Sequence, residues 1–234
     1  MWLFSSPKDY SEMVEKISKS IFVILIILLY LFSQINDGFN SAMLKLSFGA
    51  EYEIFGLKLN LALIYFPLLM GIFEHMFKIH DLFSDLLGIR KRYDRFVIVA
   101  TIFEKAHFKY SIKDVSDHHV QTIMSRCFYK YASSGKPEID PHSITLTLNE
   151  WCWFWILLDT LVSVIIASVA FLIISWSWLN LAFVLACIVV IVILMWLVLK
   201  VTKKYTCQEL AAIFSDTGRA EDIKKVLTDA LPNE

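Results

Sequence analysis

Uncharged stretches alternate with mixed-charge segments along the chain, and their lengths set the first expectation. No Asp, Glu, Lys, Arg or His occurs from Thr160 to Leu199. An α-helix rises about 1.5 Å per residue and the hydrocarbon core is about 30 Å thick, so roughly 20 apolar residues make one crossing. This stretch therefore holds two. The sequence Ser175-Trp176-Ser177-Trp178-Leu179-Asn180 divides them, because its hydroxyls and amide can satisfy backbone groups and its indoles suit a headgroup boundary. The pattern predicts spans over 151–175 and 179–200 with an outer turn at 176–178. Two further apolar runs predict spans over 20–36 and 57–77. An amphipathic segment, 1–19, precedes the first. Phe32-Ser33-Gln34-Ile35-Asn36 lacks the small residues of a cleavage site, so that run reads as a retained anchor.

The segments between spans have weaker patterns. In 37–56, Met43–Phe48 and Tyr52–Leu59 alternate about Gly49-Ala50-Glu51, which suggests a small outer β-hairpin. The segment 78–150 reads as mainly helical. The second span runs on through Ile79–Leu87 to Gly88, a candidate left-handed helix end. Phe96–Phe108 fits either a strand or a helix, and Ser116–Ala132 has helical spacing in Val120, Ile123, Met124, Cys127, Phe128 and Tyr131. Ile139–Leu148 reads as an extended or loop passage, with Asn149-Glu150 capping the third span. In the tail, 201–234, Thr206-Cys207-Gln208-Glu209 has the form of a capping box, and Gly218 separates a second short helix, Ala220–Leu231.

Composition turns the pattern into a class. The 234 residues are 57% hydrophobic and 15% aromatic, with a mean hydropathy of +0.57, outside the range of soluble domains. The expected fold is an all-α integral membrane protein of four transmembrane helices, with the outer hairpin and a helical cytoplasmic segment. Twenty-two basic residues against 23 acidic ones remove the electrostatic case for direct nucleic-acid binding. Twenty of the basic residues lie in 1–19, in 78–150 or from Lys200 onward, and only Lys45 and Lys58 lie on the other side. Basic loops stay cytoplasmic, so both termini and the central segment are expected there. Cys127, Cys152, Cys187 and Cys207 occur singly, and no disulfide is expected.

Candidate chemistry is sparse. Gly135-Lys136-Pro137 lacks the residues of a phosphate-cradling loop, and no serine elbow occurs. On a straight helix His75 and His80 would point about 140° apart, and adjacent His118 and His119 diverge. No metal, no cofactor and no enzyme activity are expected. Arg90, Lys91, Arg92 and Arg95 form a basic cluster beyond the second span, suited to anionic lipid, a phosphate-bearing ligand or an acidic partner protein. Trp151, Trp153 and Trp155 read as an interfacial belt. Asp159 lies deeper in the third span, and Asp159, Ser163, Ala167 and Ala170 make a small, partly polar stripe that allows close helix contact. Glu74 and Asp159 could instead contribute to a carboxylate ring in an oligomeric pore.

The run Phe73-Glu74-His75-Met76-Phe77-Lys78-Ile79-His80-Asp81-Leu82-Phe83-Ser84-Asp85-Leu86-Leu87-Gly88-Ile89-Arg90-Lys91-Arg92-Tyr93-Asp94, with Pro67 upstream, resembles small multi-pass membrane proteins of prokaryotic antiphage defence operons. The resemblance covers about the first 95 residues. It implies a bacterial inner membrane, a soluble cytoplasmic protein partner and a role as sensor or effector. Together the features favour an oligomeric sensor or scaffold, tetrameric by preference, over a pore-forming or membrane-perturbing effector.

Overall fold

A computed structural model of the protein describes residues 5–54, 57–133, 135, 137–174 and 176–231. In chain order the elements are α1 (Tyr10–Ile35), α2 (Asp37–Leu46), β1 (Glu51–Ile54), β2 (Leu57–Asn60), α3 (Ala62–Phe77), α4 (Ile79–Leu87) and α5 (Ile89–Tyr93). A π-helical turn, Asp94–Val99, leads into α6 (Ala100–Ala106). Then come α7 (Asp117–Ile123), a second π-helical turn (Met124–Tyr129), α8 (Pro141–Ile174), α9 (Trp178–Phe214) and α10 (Thr217–Ala230). Helices α1, α8 and α9 are each long and apolar enough to cross a membrane. Helices α3 and α4 qualify only together, as a pair bent by 66°, so there are three candidate spans or four. The protein is a predominantly helical membrane protein.

The chain divides into two compact units. The first comprises 5, 11–80 and 152–198 within the described residues and contains the apolar lengths of the long helices. In α1, Met13, Ile17, Ile21, Leu25, Leu29 and Phe32 are buried, a three-to-four-residue period that makes one stripe of the helix face protein. The amphipathic residues from Tyr10 and the predicted first span thus form one helix. Phe32 stacks on Phe171 at 5.0 Å, and Phe39 meets Phe171 edge-on at 5.1 Å. On α9, Leu185, Val189, Val190, Ile193, Leu194 and Leu197 are exposed, as side chains in contact with lipid would be.

The predicted hairpin about Gly49 does not form. Its first strand is helical to Leu46, because the Asn36 side chain accepts the Phe39 amide at 2.9 Å and nucleates α2, while Phe39 anchors in the aromatic cluster. Phe48 and Gly49 take left-handed conformations, φ 54° and 77°, at the end of that helix. What was read as the second strand forms the short antiparallel pair β1 and β2 by itself, with Glu51 opposite Asn60 and Ile54 opposite Leu57. Phe55 and Gly56 lie outside the described residues. Asn60 then accepts the Leu63 amide at 3.1 Å and starts α3.

Gly71 brings α3 close to α1. A Cβ there would stand 3.3 Å from the Ser18 carbonyl oxygen and 3.7 Å from the Phe22 Cβ. Overpacking a close contact costs about 1–3 kcal/mol, so Gly71→Leu is expected to lower the midpoint of thermal unfolding in detergent and Gly71→Ala to do so less. A Gly71→Leu protein that melts with the wild type would contradict this packing.

The second unit comprises 6–10, 81–151 and 199–231 within the described residues and has its own core. Val99, Ile102, Ile123, Cys127, Tyr131, Leu210, Ile213, Ile223 and Leu227 are buried there. Phe96–Phe108, ambiguous in the sequence, is π- and then α-helical, and 117–129 is helical as expected. Ser116 caps α7, and Asp216 caps α10 by accepting the Arg219 amide at 2.9 Å.

Four local expectations about helix boundaries fail here. Ile139–Leu148 is not a loop, since α8 begins at Pro141 and passes through Asn149-Glu150 without a cap. Proline fits a helix start, where its missing N–H has no intrahelical partner to lose. Thr206 does not cap a new helix either: α9 is continuous to Phe214, and the Thr206 hydroxyl bonds the Tyr93 hydroxyl at 2.9 Å. Gly218 lies inside α10, not ahead of it. Ser175, in the predicted break between the last two spans, falls outside the described residues, and α9 resumes at Trp178.

Candidate functional site

A polar cluster forms in the first unit where α3 ends. Lys78 takes a left-handed conformation, φ 47°, and its amide bonds the Glu74 carbonyl at 2.8 Å. Residues 79 onward therefore leave the axis of α3, and His80 folds back so that its Nδ1 meets Glu74 Oε1. The predicted continuous helix to Gly88 is thus interrupted, although Gly88 is left-handed at φ 62°, as a helix-ending glycine should be. Asp159 comes from α8. Glu74, His80 and Asp159 are 1%, 0% and 3% exposed, and one donor atom from each lies within 4.8 Å of the others.

The surroundings are apolar and aromatic. The Trp155 ring lies 5.9 Å from the His80 ring, and Trp155 is buried against Phe154. Glu74 Oε2 is buried with no hydrogen-bond partner. Two carboxyl groups and an imidazole in such a place can share protons or hold a cation, since several ionised carboxylates without a counter-charge would be costly there. Ser163, one turn beyond Asp159, is also buried, and so is Ala167, whereas Ala170 is exposed and Phe171 completes the buried stripe instead.

The other predicted residues lie elsewhere. Arg90, Lys91 and Arg92 are exposed on α5 in the second unit. The Arg90 guanidinium donates to the Tyr129 hydroxyl at 3.2 Å, and Arg95 is paired with Asp117. The four basic residues are therefore not one surface: Arg95 is half-buried against Asp117, and the exposed group is Arg90 to Arg92, of which Arg90 also bonds Tyr129. Of the predicted tryptophan belt, Trp151 packs edge-on against Tyr93 at 4.6 Å, and the Lys16 ammonium sits 4.9 Å from the Trp153 ring centre. With Trp155 beside His80, these rings serve protein packing more than a headgroup boundary. Trp176, Trp178 and Trp196 are exposed.

The second unit has a buried acid, Glu209, and a half-buried one, Asp94. Burial pushes Glu209 up to about 8 against the opposing hydrogen bond from Thr147, and pushes Asp94 up to about 6 against the attraction of Arg90. At the surface the order reverses: hydrogen bonds from Lys130 and Tyr131, each 2.6 Å, hold Asp222 below its usual value.

Sequence features singled out Glu74 and Asp159 as candidate members of a carboxylate ring, but straight-helix geometry set His80 apart from them. A straight helix separates His80 from Glu74, six residues earlier, and only the left-handed Lys78 brings them together. No residue type in the sequence marks that turn, because lysine rarely adopts it. The YmfE protein family's sequence model matches residues 9–229. The chain belongs to this family. The match covers both units and every residue of the buried cluster. No curated protein and no solved structure matches the chain.

Proposed function

We propose that this member of the YmfE family is an oligomeric membrane sensor or scaffold whose second unit binds a soluble acidic protein. The observation that supports it is a second unit with its own hydrophobic core, carrying Arg90, Lys91 and Arg92 exposed on its surface. Guanidinium groups present planar donors to carboxylates, and a basic surface steers and selects acidic partners. In this proposal the second unit and both termini are cytoplasmic, as the 20-to-2 basic asymmetry supports, and the membrane is the bacterial inner membrane. Antiphage defence is the setting implied by the sequence resemblance. A closed homo-oligomer, tetrameric by preference, belongs to the same proposal.

The pore reading has less support. A carboxylate ring needs Glu74 and Asp159 to face a shared lumen, whereas both are buried inside the protomer beside His80.

Photo-crosslinking in cells from a reactive side chain at position 91 tests the scaffold. A covalent adduct to a soluble protein is expected, and Arg90→Glu with Arg92→Glu is expected to reduce it at least tenfold, because charge reversal adds repulsion. Adducts to lipid alone, or protein adducts indifferent to the reversal, would overturn the proposal. So would unitary currents in planar bilayers that change with Asp159→Asn.

A further inference from the structure

We propose that Glu74, His80 and Asp159 form a site for one divalent first-row transition cation, of the Zn2+ or Mn2+ type. Charge supports this first. Two carboxylates and a neutral imidazole carry two negative charges, which a single divalent ion would cancel. The donor set supports it next. Imidazole nitrogen selects against the all-oxygen ions Ca2+ and Mg2+, and the two carboxylates select against thiolate-seeking Cu(I). One nitrogen with two oxygens leaves a coordination position for water or a further ligand, as open zinc sites have.

Geometry is the third support. Metal–ligand bonds of about 2.1 Å in a tetrahedral site place ligand atoms roughly 3.4 Å apart. The donor atoms of these residues already lie within 4.8 Å of one another, so closing on an ion takes side-chain adjustments on the order of an ångström. Glu74 Oε1 already meets His80 Nδ1, so the two side chains converge on one point from α3 and from the residues after its end. The second Glu74 oxygen, buried and without a hydrogen-bond partner, is a donor atom with no other evident use. Finally, the left-handed turn at Lys78 is an uncommon backbone choice for a non-glycine residue, and its effect is to place His80 on Glu74.

The full-length protein in lipid nanodiscs, stripped with a chelator and then titrated with Zn2+ in a calorimeter, provides the test. One Zn2+ per chain is expected. Glu74→Gln and Asp159→Asn keep side-chain volume, and each is expected to weaken binding at least tenfold. His118→Ala with His119→Ala, which removes the most obvious competing imidazoles, is expected to change nothing. A readout that leaves all ligands intact uses paramagnetic Co2+, which quenches nearby indoles. Trp155, 5.9 Å ring to ring from His80, should supply most of the quenched fluorescence, and Trp155→Phe should remove that fraction. The proposal is overturned if the stripped protein takes up no ion. It is equally overturned if the His118/His119 variant abolishes uptake, or if Co2+ quenching is indifferent to Trp155→Phe.

Discussion

Replacing His80 with leucine is expected to destabilise the metal-free protein by about 3 kcal/mol, the largest effect of any single substitution in the first unit. The imidazole is the hydrogen-bond partner of Glu74 Oε1, and both side chains are at most 1% exposed. Removing one member leaves a buried carboxyl with neither oxygen bonded, and such a group forfeits its solvation without compensation. Removing both members is a different experiment. Glu74→Leu with His80→Leu replaces the pair by apolar side chains in an apolar setting and is expected to be milder than His80→Leu alone. Thermal unfolding followed by circular dichroism in mild detergent, with chelator present, measures the series. A double variant less stable than the single one would show that the pair stabilises the fold through something other than mutual satisfaction of polar groups.

The second large effect is a stability gain that depends on pH. Glu209 is 2% exposed, and burial moves its pKa from 4.5 up to about 8. Between those values the folded chain keeps a proton that the unfolded chain has released, so folding stability falls as pH rises through that window and levels off above it. A displacement of this size corresponds to roughly 4–5 kcal/mol at full strength, and structural relaxation brings the expected effect to about 2–4 kcal/mol. Glu209→Gln, neutral at every pH and nearly the same shape, should therefore match the wild type near pH 5 and exceed it by that amount above pH 8. Asp94, moved to about 6 by burial, leaves a smaller slope between 3.8 and 6 in the variant. Unfolding midpoints measured from pH 5 to 9 test this. Parallel curves for the two proteins would mean that Glu209 is ionised and solvated in the folded state.

Much of the membrane part was legible because length and the absence of charge are physical requirements of a bilayer, independent of tertiary detail. The uncharged interval Thr160–Leu199 had to hold two crossings, and α8 and α9 carry them. What failed were readings from local capping signals. Asn149-Glu150 and Thr206-Cys207-Gln208-Glu209 have the right residues to begin helices, yet each sits within a helix that simply continues. A cap motif has value only where backbone amides lack partners, and inside a continuous helix none do. The hairpin failed for the converse reason. Alternation in Met43–Phe48 is equally compatible with a short helix, and the Asn36 cap with the buried anchor at Phe39 decided it. The polar cluster was half legible. Ionisable residues within an apolar span pointed to Glu74 and Asp159, while His80 depended on a backbone turn that no local rule predicts.

The π-helical turn Asp94–Val99 changes how the second unit would respond to a change in chain length. Its bonds run from each residue to the fifth one on rather than the fourth, so it holds one residue more than an α-helix covering the same rotation. Tyr93 and Ile98 are accordingly both buried although five residues apart, and Ile102 and Ala106 then follow at helical spacing on the same face. Elsewhere in a helix, deleting a residue turns everything beyond it by about 100° and takes its apolar stripe off the core. Here a deletion would tighten the turn to an α-helix and leave both flanks in phase. The segment between α5 and α6 is thus a place where the length of this chain can vary by one residue while its core stays in register.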